Sequence, residues 1–497
     1  MFKKILIANR GEIAVRLIRA CRELQIPAVA VYSEADRASL HVLAADEAYP
    51  IGPRPAAESY LNISRIVGTA KQCGADAIHP GYGFLSENEE FAEASREAGI
   101  KFIGPSAQSI ALMGSKTGAR QAIEKAGVPL VPGSSRGLDS LARARRLAAK
   151  LGYPVMLKAA AGGGGKGMRL VESAAELGSA FEAARSEALR AFGDDEVYLE
   201  KAILNPRHIE MQILCDEHGN SVYLGERECS IQRRHQKVLE ESPSAALTPE
   251  MRRRMGETAV RVAEAARYAN AGTVEFLVDG NGEFYFLEMN TRLQVEHPVT
   301  ELVTGLDLVH LQIRIAAGEK LPFGQQDITV RGHAIECRVY AEDPENNYFP
   351  SPGEITLLNE PFGPGIRLDS GIYQGWNVPV DYDPLLAKLV AFGGDRQMAI
   401  GRLRRALDEY IVGGVKTNLA LFRRILEDPQ FLAARTDTGY LPRLQAEAKP
   451  GEAAEPEIAA IAAALWWALR PASEDARPAA AGAKSLWKAA ARSEAVR

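Results

Sequence analysis

The chain has 497 residues, 46% of them hydrophobic, and a formal net charge of -5. That length allows two to four domains with a sizeable core, and the slightly acidic balance gives no electrostatic footprint for bulk nucleic-acid binding. Five cysteines (Cys21, Cys73, Cys215, Cys229, Cys337) lie far apart with no C-x-x-C, which reads as reduced thiols in a cytoplasmic protein, and no apolar run reaches the ~20 residues of a membrane span.

From the N-terminus, residues 1–112 alternate short apolar runs with helical patterns. "KILIA" is followed by "GEIAVRLIRACREL" and "PAVAVY", and "ADAIHP" by "NEEFAEASREAG" and "IKFIGP". Strand, helix, strand predicts a parallel sheet with helices on its faces. Residues 113–330 have an α+β texture: a helix at "SKTGARQAIEKAG", a strand "PVMLKA", a glycine run, a strand "MRLV", a helix over about 173–191, three further strands, a helix over about 249–268 and a hairpin. Residues 331–445 open on the strand "GHAIECRVYAED" and form a third unit. Residues 446–497, rich in Ala, Pro, Glu and Arg, read as a linker with one or two short helices.

The run "KAAAGGGGKGM" (158–168) formally contains G-x-G-x-x-G. A dinucleotide loop needs a helix at its third glycine, and here a strand follows; a Walker A loop needs G-K-[ST], and "GKGM" has no hydroxyl. In protein kinases the lysine strand follows the glycine loop, whereas Lys158 precedes this one. What survives is a strand–loop–strand flap whose amides and Lys166 can close over phosphates.

The hairpin "TVEFLVDGNGEFYFLEMN" carries Glu275 and Glu288 on its two strands. A turn centred on Gly280 and Asn281 sets Glu275 opposite Phe286, with Glu288 diagonally next to Glu275 and Asn290 on the same face. Two carboxylates and an amide among apolar residues point to a hard cation such as Mg²⁺ bridging substrate phosphates. "NTRLQVEHPVTE" follows, with Arg292 suited to a small planar oxyanion and Glu296 to a general base. Upstream, "SIQRRHQKVLEESP" clusters Gln232, Arg233, Arg234, His235 and Lys237, as either a solvated basic strand or part of a site. Arg338, on an otherwise apolar strand, either pairs with a structural carboxylate or serves chemistry.

"ANRGEIA", "HPGYGFLSEN", "GPS", "MGSK", "KAAAGGGGKGM", "ERECSIQRRHQKV", "FLEMNTRLQVEHPVTE" and "GHAIECRVYAEDP" together resemble the biotin carboxylases of the ATP-grasp superfamily, over about residues 1 to 445 and in order. The resemblance implies an α/β and α+β multidomain fold. Its parts are an N-terminal Rossmann-like domain (1–112), an ATP-grasp domain with a mobile lid (113–330, lid about 132–203) and a C-terminal biotin carboxylase domain (331–445). It implies that ATP and bicarbonate give carboxyphosphate, and that the carboxyl group passes to N1 of biotin on a carrier protein. Lys116, Lys158, Gly164 and Gly165 would meet the ATP phosphates, and Glu200, Lys201 and Ile203 the adenine. His208 and His235 would contact nucleotide; Glu275, Glu288 and Asn290 would hold Mg²⁺ or Mn²⁺. Lys237, Arg292 and the Val295 backbone would hold bicarbonate, Glu296 would deprotonate it, and Arg338 would stabilise the enolate-like ureido oxygen of biotin.

No lysine is flanked by methionines, the usual biotin attachment pattern. We expect a cytoplasmic subunit, homodimeric by family, that needs a separate biotin carboxyl carrier protein and a carboxyltransferase subunit. Acetyl-CoA is the first-choice final acceptor, with other acyl-CoAs or pyruvate as alternatives. "SLWKAAARSEAVR" in the tail looks like the stretch that follows this region in fused acyl-CoA carboxylases, and "IAAIAAALWWALR" offers Trp466 and Trp467 as docking anchors; a plain linker is the alternative. Two other functions share parts of the pattern: a carbamoyl-phosphate synthetase-like ligase, which has no use for "GHAIECRVYAED", and a non-catalytic nucleotide-binding module, which has no use for Glu296 with Arg338 and Lys237.

Overall fold

The computed structural model describes residues 1–134, 137–159 and 168–447, with Ile461, Ala464 and Leu465 of the tail. The glycine run, with Gly164 and Gly165, and Trp466 and Trp467 lie outside the described residues. Met1–Leu441 make one compact unit and Pro442–Arg497 a second.

The first segment forms the expected parallel sheet with helices, and adds a strand, Glu47–Gly52, and a helix, Ile63–Cys73, that the sequence pattern did not single out. Strands Ile5–Ile7, Ala28–Ser33, Glu47–Gly52, Ala77–His79 and Lys101–Phe102 form a parallel sheet in the spatial order third, second, first, fourth, fifth. Helices such as Gly11–Glu23 and Ile63–Cys73 supply the crossovers, so most strand positions are buried. Ile63–Cys73 starts where the Asn62 side chain accepts the Arg65 N–H and ends at left-handed Gly74.

The central sheet has eight strands in the order Phe284–Asn290, Asn270–Val278, Arg207–Cys215, Ser221–Arg233, Gln236–Ser242, His333–Tyr340, Leu385–Gly393 and Ile366–Ser370, paired antiparallel. His333–Tyr340 pairs with Gln236–Ser242, so one sheet runs from the segment expected as the second domain into the third. All eight positions of His333–Tyr340 are buried, because the helices His297–Thr304 and Arg396–Glu409 both pack on it.

A small antiparallel sheet, Met168–Val171, Val155–Ala159 and Val197–Lys201, has its own core, with Leu157, Val171, Phe181 and Leu199 packed under the helices Leu141–Leu151 and Leu177–Phe192. Lys158 pairs with Met168, so the glycine run does connect two strands. The chain enters this sheet at Gly133, where a Cβ would come within 2.5 Å of the Leu199 carbonyl oxygen; only glycine permits that crossing. The helix expected over 249–268 ends at Ala265, since Arg267 and Asn270 take left-handed backbone angles. All five cysteines are free and buried, and no helix among the described residues is long and apolar enough to cross a membrane.

Candidate active site

The acidic hairpin carries the expected residues in a different register. In place of a two-residue turn at Gly280 and Asn281, Asp279 and Glu283 close a wider one, the Asp279 Oδ1 accepting the Asn281 and Glu283 N–H groups at 2.9 Å each. Phe276, not Glu275, therefore faces Phe286. A bulge at Leu287 adds one more residue, so Glu275 stands directly across from Glu288 and Thr273 from Asn290. The two carboxylates are direct neighbours rather than diagonal ones.

Glu275 is buried. Its Oε1 accepts from Lys237 Nζ (2.8 Å), Asn290 Nδ2 (2.8 Å) and Gln294 Nε2 (3.3 Å), and its Oε2 lies 2.7 Å from His208 Nε2. Burial alone would raise its pKa, but the Lys237 and His208 charges hold it far below the carboxylate range. Glu288 goes the other way: loss of hydration, then the Glu275 charge, push it up. A hard divalent cation would relieve that repulsion, and the oxygens of Glu275, Glu288 and Asn290 are the donor set Mg²⁺ or Mn²⁺ prefers.

Glu296, the residue before the helix His297–Thr304, is fully buried. Its Oε1 accepts from Lys237 Nζ and its Oε2 from Arg338 Nη2, both at 2.8 Å. Burial would raise its pKa, yet Lys237, Arg338 and Arg227 hold it well below the usual range. Burial would lower that of Lys237, but Glu210, Glu275 and Glu296 raise it well above the usual value. Lys237 reaches this face because of an irregularity at Val238: Ile231 pairs with Leu239, and Gln232 with Lys237.

The alternation of charge continues on both sides. Lys237 also binds Glu210, which shares its other oxygen with fully buried Arg227. Arg227 is held further by Gln212 Oε1 (2.7 Å), Thr300 Oγ1 (2.8 Å) and Thr273 Oγ1 (3.0 Å). On the far side, Arg338 Nε donates to Glu240 Oε1 at 2.6 Å. Glu210, Arg227 and Glu240 were missed from sequence; Glu210 stands in the mostly apolar strand Arg207–Cys215, but Arg227 and Glu240 sit among other polar residues and gave no such signal.

Arg292 donates through Nε to Glu87 Oε2 (2.9 Å) and through Nη1 to Gln294 Oε1 (2.8 Å), and Glu87 Oε1 also accepts the Thr291 N–H at 2.9 Å. Glu87 comes from the first segment and was not expected here. The Val295 carbonyl accepts from Lys388 Nζ (2.9 Å), a fully buried lysine also missed from sequence.

In the small sheet, Glu200 accepts from Lys158 Nζ (2.7 Å) and Arg120 Nη1 (2.6 Å). Burial, then the Glu200 charge, push the Tyr198 phenol up. Lys201 Nζ instead donates to the Gly152 and Tyr153 carbonyls (3.0 and 3.1 Å), and half-buried Ile203 follows the strand. His235 is exposed at a hairpin turn with φ +67°, apart from the His208 cluster. Lys116 opens the helix Lys116–Lys125, but its side chain lies outside the described residues.

Three family descriptions match the chain: "Biotin carboxylase, N-terminal domain" over residues 1–110, "Carbamoyl-phosphate synthase L chain, ATP binding domain" over 115–323, and "Biotin carboxylase C-terminal domain" over 336–443. The chain is 52% identical over 442 residues to biotin carboxylase 1 of Bacillus subtilis, covering 89% of this chain and 98% of that one. It is 50% identical over 468 residues to the mitochondrial methylcrotonoyl-CoA carboxylase subunit alpha of Mus musculus, covering 94% and 65%. The solved biotin carboxylase domain dimer of Hydrogenobacter thermophilus 2-oxoglutarate carboxylase, in complex with MgADP, ADP and bicarbonate, superimposes with a TM-score of 0.86 at 49% identity, covering 90% of this chain and 100% of that one.

Proposed function

Since the chain belongs to the biotin carboxylase family, we propose that it uses ATP and bicarbonate to carboxylate N1 of biotin on a separate biotin carboxyl carrier protein, through carboxyphosphate. One observation carries this most directly: a fully buried carboxylate, Glu296, lies between Lys237 and Arg338. A nucleotide-binding module would have no use for it.

ATP enters between the small sheet and the hairpin. Lys116, Lys158, Gly164 and Gly165 meet its phosphates; Glu200, Lys201 and Ile203 border the adenine; His208 and His235 contact the nucleotide. Glu275, Glu288 and Asn290 would hold Mg²⁺ or Mn²⁺, which when bound offsets charge on the phosphate oxygens. Lys237, Arg292 and the Val295 backbone hold bicarbonate. As bicarbonate draws Lys237 onto itself, Glu296 loses one of the charges that depress its pKa, so its basicity rises as the substrate seats. Glu296 then takes the bicarbonate proton, the freed oxygen attacks the γ-phosphorus, and ADP leaves. Arg338 faces the ureido oxygen of biotin, where charge develops as N1 becomes a nucleophile. The glycine lid excludes water from carboxyphosphate, which water would hydrolyse.

The final acceptor in this proposal is an acyl-CoA, acetyl-CoA first, with a 2-oxo acid such as pyruvate as the alternative. The tail motif supports it, as does the mouse alignment, whose 468 residues exceed the 445 that precede the tail. The enzyme is cytoplasmic and homodimeric, and hands its product to a carboxyltransferase subunit. The test is ATP cleavage with bicarbonate, with and without free biotin. Stimulation by biotin is expected. Dependence on ammonia would mean a carbamoyl-phosphate synthetase-type ligase, and no turnover would mean a nucleotide-binding module.

A further inference from the structure

We propose that Glu240 is a positioning residue that grips Arg338, and that Glu336 beside it stays protonated so that the pair carries no more than one negative charge. This rests on the function proposed above. Glu240 and Glu336 are direct cross-strand partners on Gln236–Ser242 and His333–Tyr340, and both are fully buried. Glu240 spends one oxygen on Arg338 Nε at 2.6 Å. Its Oε2 and both oxygens of Glu336 are buried without a hydrogen-bond partner.

The surrounding charges force the issue. On their own strands, Arg338 and Lys237 face the pair; from Leu385–Gly393 comes Lys388, and from the start of His297–Thr304 comes Glu296. Glu210 adds negative charge from Arg207–Cys215, and His297 stays neutral, chiefly through burial. Beyond Lys388 lies Glu12, 3.4 Å from its ammonium and also without a hydrogen-bond partner. On the opposite face, Glu241 is taken by His333 and Arg396. With Lys237 assigned to Glu296, the carboxyls of Glu240, Glu336 and Glu12 draw chiefly on Arg338 and Lys388; Arg367 acts less strongly on Glu12, and Asp369, 3.8 Å from the Lys388 ammonium, competes for it. An unpaired charge in so dry a place is far more costly than a proton, so the pair takes one up on folding. Burial raises Glu336 well above the carboxylate range and Glu240 to about 7. Glu336, with neither oxygen bonded, is the residue that keeps the proton; Glu240, bonded to Arg338, is the one that ionises.

Ionised Glu240 strengthens the grip on Nε and fixes the guanidinium, leaving its remaining N–H groups for Glu296 and the ureido oxygen. Biotin-dependent turnover of the intact enzyme should therefore rise with pH through about 7. The test measures kcat/KM for free biotin against pH, together with the KM for ATP, in the wild type, Glu240→Ala, Glu240→Gln and Glu336→Gln. Glu240→Ala should lose at least ~10-fold in kcat/KM for biotin. Glu240→Gln, which keeps an acceptor for Nε, should recover most of that loss but show no rise near pH 7. Glu336→Gln, isosteric with the protonated acid, should stay within ~3-fold of wild type and keep the rise. All three should keep the KM for ATP within ~2-fold. A rise that survives in Glu240→Gln overturns the proposal, as does a 10-fold loss in folded Glu336→Gln or a shifted KM for ATP in the Gln variants. If Glu240→Ala does not fold, the two Gln variants decide. A wild type that ignores biotin overturns the function itself, an outcome distinct from these.

Discussion

Arg292 meets Glu87 across 205 residues of chain, and that contact sets the direction of its guanidinium. Removing the carboxylate in Glu87→Ala should loosen Arg292 and raise the KM for bicarbonate by ~10-fold; an unchanged KM would mean that its bonds to Gln294, Asn290 and the Leu293 carbonyl suffice to position it. Glu296→Ala and Arg338→Ala should each lose biotin carboxylation by ~100-fold or more while ATP still binds, checked by nucleotide titration beside product assay. A third residue-scale expectation concerns Asp36, which is fully buried and accepts from Arg10 Nε (2.6 Å), Arg10 Nη2 (2.7 Å) and the Tyr60 hydroxyl (2.7 Å). Burial opposes ionisation, but these bonds hold its pKa down at about 2. A depressed carboxylate stabilises the fold above its unfolded value near 4, and that stabilisation fades as pH falls toward 2. Asp36→Asn should cost about 2 kcal/mol at pH 7, and the gap to wild type in denaturant midpoints should narrow between pH 4 and pH 2. The acidic hairpin and Arg338 were legible because they break apolar patterns; Glu296 stood out by its nearness to Arg292 and the hairpin, and Lys237 sat in a basic cluster that read equally as a solvated strand. Glu87 was not, because nothing in "FLSEN" foretells which distant arginine it will meet.

Strand and helix positions followed from periodicity, whereas their register depended on bulges. Glu275 faces Glu288 only because the Leu287 bulge offsets the wider turn, and Lys237 shares a face with Glu240 only because of the irregularity at Val238. A bulge reflects how strands fit against neighbours and core, which no local propensity encodes. The small three-stranded sheet should be less stable than the eight-stranded one, since its core is separate and only three strands carry it. Leu157→Ala should cost about 2–5 kcal/mol locally. Hydrogen exchange should run faster across 155–201 than across the eight-stranded sheet, and MgATP should slow it there; exchange unaffected by MgATP would remove the lid from the mechanism.

At the scale of the whole molecule, the tail is the segment without a partner in the proposed chemistry. Deleting 446–497 should abolish binding to the carrier or transferase while biotin-stimulated ATP cleavage stays within ~3-fold; unchanged binding would make the tail a linker. The sequence by itself determined the βα alternation of the first segment, the strand–loop–strand setting of the glycine run, the acidic hairpin and the residue types of the candidate site, since these depend on periodicity, turn chemistry and side-chain chemistry within a few positions. Only the tertiary structure decided that His333–Tyr340 joins the central sheet beside Gln236–Ser242. That pairing sets Arg338 between Glu240 and Glu296, and the buried charge alternation from Arg227 to Glu240 exists only once it forms. Long-range strand pairing is chosen by burial of whole faces and by the cost of leaving charges unpaired in a dry core, and both sums run over the entire fold.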